Sequence, residues 1–275
     1  MPSLKEKPLN QLLTGLTQLD DSRNFLDTSI SGISLHAGSV CSGNIFVAIP
    51  GNKFDGHDFI PEAVKNGAAA IISNGRDLGE LSIPQIRVAN PRRAASWVAS
   101  EFFDHPSREL TMIGITGTNG KTSTATLVAS ILDAAGYKTA QMGTLGLIAQ
   151  GNSPQEKTLT TLDQVALHKS LFDLKKDGFT HVVMEVSSHA LQQCRVTDVD
   201  FSIAAFTNLT PEHLDYHGNM EEYYHAKAKL FKMLPITATA VINNDDTYGE
   251  RIISESSTPI LTTSISTKEN VHYSS

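Results

Sequence analysis

The stretch Gly114-Ile115-Thr116-Gly117-Thr118-Asn119-Gly120-Lys121-Thr122-Ser123 constrains this chain more than any other segment. It overlaps a short apolar run over residues 112–116 that reads as a strand. It opens a helical pattern over residues 121–135 that stops at Gly136. A strand passing through a glycine-rich turn into a helix aims several backbone N–H groups, and the positive end of the helix dipole, at one point in space. That arrangement suits a phosphate group. Lys121 adds a cation for the outer phosphates, and the Thr122 hydroxyl is placed to reach Mg²⁺. The strict pattern GxxxxGK[ST] is not met, because Ile115 stands where its first glycine belongs. Strand, loop, Gly-Lys-Thr and helix together favour nucleotide binding over an ordinary glycine-rich turn. Gly117, Thr118, Asn119, Gly120, Lys121, Thr122 and Ser123 are the candidate contacts.

Around this loop, strand and helix signals alternate. Residues 180–186, 202–207 and 238–243 read as strands and 221–233 as a helix, which favours a mostly parallel sheet with helices on both faces. Beyond Asn243 the signals weaken, and the Ser/Thr-rich residues 254–275 suggest no terminating element. The first 107 residues form a separate small α/β pattern. Ile45-Phe46-Val47-Ala48-Ile49 reads as a strand closed by Pro50-Gly51, a helix starts near Pro61 and stops at Gly67, and residues 68–72 read as a buried strand. A helix over 91–103 is broken by Asp104-His105-Pro106-Ser107, where we place the boundary between domains 1–107 and 108–275.

Composition bounds the function. With 40% hydrophobic and 19% charged residues the chain is globular, not disordered, collagen-like or coiled-coil. A net charge of −7 argues against nucleic acid or an anionic membrane as partner. Cys41 and Cys194 form no CxxC, and the sequence MPSLKEKPLN carries no apolar leader, so a reduced, cytoplasmic setting is expected.

Three further features carry chemistry. Glu185, in Met184-Glu185-Val186-Ser187-Ser188-His189, stands at a strand end, where ligand groups collect in open α/β sheets; a metal role gains weight only beside the phosphate loop. Ser–His hydrolase chemistry is disfavoured because no GxSxG elbow surrounds these serines. His213 and His217 are spaced to share a helix face, but Leu214 replaces the glutamate of a zinc-protease motif. Tyr223, Ala226, Lys227, Leu230 and Phe231 form one helical stripe, so Lys227 falls on an apolar face; a snorkelling lysine is the simpler account of it.

Taken in series, FVAIPG, DGHDFIPEAVKNGAAAII, TGTNGKTS, LTTLDQ, MEVSSHALQQCRV, FTNLTPEHLDYHGNMEEYYHAKAKLF and VINNDD resemble the Mur ligases. They are most similar to the type that adds the third residue to UDP-N-acetylmuramoyl-L-alanyl-D-glutamate. The resemblance implies an ATP- and Mg²⁺-dependent amide ligase of peptidoglycan precursor synthesis, acting on small molecules through an acyl phosphate. It implies that Lys121 and Thr122 bind ATP phosphates and Mg²⁺, with Glu185 and His213 as further metal-site groups. Lys227 falls where the family has a carbamylated lysine that helps organise a second Mg²⁺. Thr160, Thr161, Ser187, Gln193 and Arg195 match positions that hold the UDP-muramoyl peptide, and Asn52, Lys53 and Phe54 match the loop near its uridine end.

Two departures stand out. His36-Ala37-Gly38 takes the place of the family's Asp-Ser-Arg triplet, and Asn44 replaces an Asp; Asp21-Ser22-Arg23 lies at the wrong spacing. The family's C-terminal amino-acid-binding domain has no counterpart, so the chain reads as a uridine-binding domain plus an incomplete central domain, inactive by itself. The rival readings are a non-catalytic nucleotide- or UDP-sugar-binding module and folylpolyglutamate synthase-like chemistry.

Overall fold

A computed structural model describes residues 6–19, 27–51, 54–76, 78–79, 81–149, 159–265 and 273–274. The chain divides into two compact units, Met1–His105 with Gln164–Lys169, and Pro106–Asp163 with Ser170–Ser275.

In the first unit, β1 (Lys7–Pro8), α1 (Leu9–Leu13) and β2 (Ser29–Ile30) precede β3 (Gly32–Ser34), β4 (Asn44–Val47), α2 (Ile60–Lys65), β5 (Ala70–Ser73), β6 (Gln85–Arg87) and α3 (Pro91–Phe102). Strands β3 to β6 form a parallel sheet in chain order. Every residue of β5 is buried, as a parallel strand covered on both faces requires. Phe46, Ala48 and Ile71 pack with Ile60 and Ala63 of α2. The β5 strand begins two residues later than the sequence suggested. Helix α3 starts where Asn90 Oδ1 accepts from the N–H groups of Arg92 and Arg93, with Pro91 in the first turn. Just beyond its end, Asp104 and His105 take φ values of 59° and 47°, left-handed backbone that no helix continues.

The second unit contains β7 (Thr111–Thr116), α4 (Lys121–Ala134), β8 (Thr139–Gly143), β9 (Gly146–Ala149), β10 (His181–Glu185), α6 (Ser188–Gln192), β11 (Ile203–Phe206), α7 (Leu214–His217), α8 (Met220–Lys232), β12 (Thr239–Asn243), α9 (Thr247–Glu255), β13 (Ile260–Thr263) and β14 (Tyr273–Ser274). Helix α5 (Gln164–Lys176) belongs partly to each unit. The sheet order is β14-β13-β12-β11-β7-β10-β8-β9. All neighbours run parallel except the two outer pairs, β13–β14 and β8–β9. The expected mostly parallel α/β sheet is present.

The expectation that order fades after Asn243 is corrected. Asp246 caps α9, which buries Ile252, and β13 continues the sheet in register with β12, Ala240 opposite Ile260. Thr262 and Thr263 are β-branched, and a strand that buries little beyond Ile260 has no strong apolar pattern to announce it.

On β7, Ile113 and Ile115 meet Ala125 and Ala129 of α4 and Val183 of β10, where the small alanines let helix and sheet approach closely. Gly114 faces the other way, and a Cβ there would meet Phe201 Cε1 at 2.7 Å. Strands β10, β7 and β11 are adjacent and parallel, with Glu185 opposite Ile115 and Phe206 opposite Thr116. The loops that follow them therefore emerge along one edge of the sheet, the carboxyl ends where α/β proteins collect ligands. Among the described residues no helix is long and apolar enough to cross a membrane.

Candidate functional site

The loop after β7 is shaped by two glycines. Gly117 has φ 150°, and a Cβ on it would lie 1.9 Å from Thr207 Oγ1; Gly120 caps α4 at φ 84°. The N–H groups of Lys121, Thr122 and Ser123 open the helix and so lack intrahelical partners, which leaves them available to an anion. The N–H groups of Thr118 and Asn119 are committed instead to Asn208, to its carbonyl oxygen at 2.8 Å and its Oδ1 at 2.9 Å. Lys121 Nζ folds back over the loop and donates to the carbonyls of Gly117 (3.0 Å) and Thr118 (2.8 Å). Burial lowers its pKa, opposed by the charges of Glu212 and Glu185.

Glu185, at the end of β10, is 1% exposed. Its Oε2 accepts from Thr122 Oγ1 at 2.9 Å and Thr144 Oγ1 at 3.1 Å, and its Oε1 accepts from the Thr144 N–H at 2.9 Å. These donors are all neutral, and among the described residues no Lys, Arg or His side chain is paired with it at this point. A Cβ on Gly143 would lie 2.1 Å from Oε1, so a glycine there makes room for the carboxylate. A carboxylate beside a threonine hydroxyl is a hard oxygen set, which fits Mg²⁺; that ion is usually held by one or two carboxylates together with substrate phosphates.

Helix α8 is capped by Asn219, whose side chain accepts from the Glu222 N–H, and it turns Lys227 inward. Lys227 is 2% exposed; its Nζ donates to the Gly117 carbonyl at 2.7 Å and lies 4.7 Å from the centre of the Tyr223 ring one turn back. The snorkelling account is thereby replaced by a buried amine. Burial, and secondarily the charge of Lys121, lowers its pKa to about 7.

The two histidines are not both within the helix. His213 precedes α7 with φ 55° and is exposed, whereas His217 ends that helix, buried, with Nε2 2.9 Å from Ser188 Oγ. The His217 N–H still donates to the His213 carbonyl at 2.9 Å, and both rings lie near His189 (4.8 and 5.5 Å between centres) and Tyr223 (6.4 and 4.9 Å). Burial pushes His217 down to about 4, with the charge of His189 next in effect. His189, which sequence reasoning passed over, lies against Tyr216 (4.1 Å between ring centres) and His213 (4.8 Å). Its place in the strand-end segment after Glu185 was the available signal.

The remaining candidates of this unit surround the end of β10. Thr161 Oγ1 donates to the Glu185 carbonyl at 3.0 Å and accepts from the Ser187 N–H at 3.2 Å, while Ser187 Oγ caps α6. Arg195 donates to the Thr161 carbonyl at 2.7 Å and to Gln193 Oε1 at 2.8 Å, and Gln193 Nε2 donates to the Tyr216 hydroxyl at 3.2 Å. Thr160 Oγ1 lies 3.3 Å from Thr144 Oγ1. In the other unit Phe54 is 73% exposed, edge-on to Phe59; Asn52, Lys53 and Asp21-Ser22-Arg23 lie outside the described residues.

Residues 115–275 match the Mur ligase middle domain, and residues 29–103 match the catalytic domain of the Mur ligase family. The chain belongs to the Mur ligase family. The UDP-N-acetylmuramoyl-L-alanyl-D-glutamate–2,6-diaminopimelate ligase of Pseudomonas putida is 44% identical over 232 residues, taking in 83% of this chain and 46% of its own. The ligase of the same name from Gloeobacter violaceus is 41% identical over 255 residues, 92% of this chain and 50% of its own. A solved structure of such a ligase superposes with a TM-score of 0.80 at 31% identity, covering 97% of this chain and 54% of that one. MurF from Acinetobacter baumannii (TM-score 0.67, 22% identity) and a folylpolyglutamate synthase from Mycobacterium tuberculosis (0.51, 16%) share the fold. This Mur ligase chain thus spans about half the length of the curated relatives it matches.

Proposed function

We propose that the chain is part of an ATP-dependent ligase that adds the third amino acid to UDP-N-acetylmuramoyl-L-alanyl-D-glutamate in peptidoglycan precursor synthesis. The observation that carries this reading is the convergence of Lys121, the Thr122–Glu185 pair and the buried Lys227 on the loop after β7. The names of the relatives favour diaminopimelate over lysine as the amino acid added. A net charge of −7 and small, water-soluble substrates fit a cytoplasmic enzyme without nucleic-acid or membrane partners.

The chemistry is phosphoryl transfer followed by amide formation. An oxygen of the D-glutamate carboxylate attacks the γ-phosphorus of ATP, the bond to ADP breaks, and an acyl phosphate forms. The amine of the incoming amino acid then attacks the acyl carbon, and phosphate leaves with loss of the amine proton. Lys121 turns from the Gly117 and Thr118 carbonyls onto the phosphates, and the first-turn N–H groups of α4 hold them in place. Gly117, Thr118, Asn119, Gly120 and Ser123 shape this cradle. Thr122 and Glu185 would hold Mg²⁺, together with His213 and with Lys227 if carbamylated, and the bound ion would supply charge neutralisation for the transferring phosphoryl group. The uncharged amine of Lys227, populated at neutral pH by a pKa of about 7, attacks CO₂ to give the carbamate and release a proton. Thr160, Thr161, Ser187, Gln193 and Arg195 orient the muramoyl peptide, and Asn52, Lys53 and Phe54 meet its uridine end.

Lys121→Ala is expected to abolish ATP-dependent phosphate release in the full-length ligase, and release retained in that variant overturns the assignment. Thermal protection by UDP-muramoyl dipeptide, set against protection by folate, separates this reading from folylpolyglutamate synthase-like chemistry.

A further inference from the structure

The phosphate loop does not hold its own shape. Residues 207–210, which follow β11, lace it from the side. The Thr118 N–H donates to the Asn208 carbonyl (2.8 Å), and the Asn119 N–H donates to Asn208 Oδ1 (2.9 Å). Asn208 Nδ2 in turn donates to the Asn119 carbonyl (3.2 Å), which also accepts from Thr207 Oγ1 (2.7 Å). The 207–210 segment is itself anchored, because Asn243 Nδ2 donates to the Thr207 carbonyl (2.8 Å) and the Leu209 N–H donates to Asp246 Oδ2 (2.7 Å).

We propose that Asn208 is a positioning residue for the phosphate grip: its side chain clamps both polar groups of Asn119 and thereby fixes which backbone N–H groups face the nucleotide. A carboxamide is suited to this because one planar group offers an acceptor to the Asn119 N–H and a donor to the Asn119 carbonyl. Aspartate keeps the acceptor, turns the donor into a second oxygen against that carbonyl, and adds negative charge beside the phosphates. With the 118 and 119 amides withdrawn towards Asn208, the anion is left to the first turn of α4, and the entropy of ordering the loop is met before ligand arrives. This inference rests on the proposed nucleotide site, and the wild-type arm of the test separates the two.

The test is calorimetric titration of the 275-residue chain with Mg²⁺-ATPγS and with inorganic tripolyphosphate, alongside urea unfolding. Asn208→Ala is expected to weaken both ligands by the same factor, ~10-fold or more, equivalent to about 1.4 kcal/mol. Asn208→Asp, close in volume to the native residue, is expected to weaken them at least as much while the urea midpoint stays near wild type. The inference is overturned if both variants bind ATPγS within about twofold of wild type, or if ATPγS weakens and tripolyphosphate does not, since the loss then lies away from the loop. It is also overturned if a fall in the urea midpoint alone accounts for the loss. A wild-type chain that binds neither ligand removes the nucleotide reading itself, and this inference with it.

Discussion

Lys227 Nζ donates to the Gly117 carbonyl across 110 residues of chain, and the same carbonyl accepts from Lys121 Nζ. Two cationic donors on one carbonyl is a costly arrangement away from water, and it has a pH signature. Lys227 carries a pKa of about 7 in the fold against an ordinary 10.5. Between those values the unfolded chain binds a proton that the folded chain does not, so stability rises with pH through that window. Below about pH 7 the whole cost is present, on the order of 5 kcal/mol at 1.36 kcal/mol per pK unit. Lys227→Met removes it. Urea unfolding of both proteins is expected to show Met more stable at neutral pH, with about 2 kcal/mol of the gap closing by roughly pH 9. Parallel pH profiles rule the argument out.

Much of this site is legible in the sequence because it is local. A strand, two glycines and Lys121-Thr122 leave a pattern within ten residues, and the helical stripe through Tyr223 and Lys227 leaves one within nine. The parts that are not legible are those in which distant segments meet. Asn208 binds a loop almost 90 residues before it in the chain, and no periodicity records that. That α7 begins only after His213, whose backbone is left-handed, is likewise something spacing cannot register. Strand β13 is recruited by its neighbour β12 more than by its own apolar content.

Gly117→Ala tests the close approach of the phosphate loop to residues 207–210. The added methyl would sit 1.9 Å from Thr207 Oγ1, near the backbone of Asn208 as well, so the loop must move away from its clamp. Overpacking of this kind costs about 1–3 kcal/mol. Thermal unfolding should register that loss, and ATPγS binding should weaken in the fraction that remains folded. A variant with wild-type stability and affinity means that the loop has slack this geometry denies.

Glu185→Gln keeps the shape of the buried carboxylate and removes its charge. Its Oε1 still accepts from the Thr144 N–H, but the new amide nitrogen meets the hydroxyls of Thr122 and Thr144 as a donor. Those hydroxyls can rotate to accept, so stability is expected to fall by only about 1 kcal/mol. Nucleotide binding should instead lose its dependence on Mg²⁺. Titrations with and without MgCl₂ check this, and a Mg²⁺ dependence equal to wild type takes Glu185 out of the metal site.

In the N-terminal unit, Asp55 Oδ1 accepts from both the backbone N–H (3.0 Å) and Nδ1 (2.6 Å) of the buried His57, whose Nε2 accepts from the Asn74 N–H. The backbone bond, then the side-chain bond, lowers the Asp55 pKa below the usual carboxylate range. A carboxylate depressed in the fold contributes stability that is present above its unfolded pKa, roughly 4, and is lost as pH falls through the folded value. Asp55→Asn retains one acceptor and carries no charge. Its acid unfolding is therefore expected to be shallower than wild type below roughly pH 4, with the largest stability difference at neutral pH and convergence in acid. Far-UV circular dichroism across an acid titration measures this, and two superimposable curves mean that the stability of the fold does not depend on the Asp55 charge.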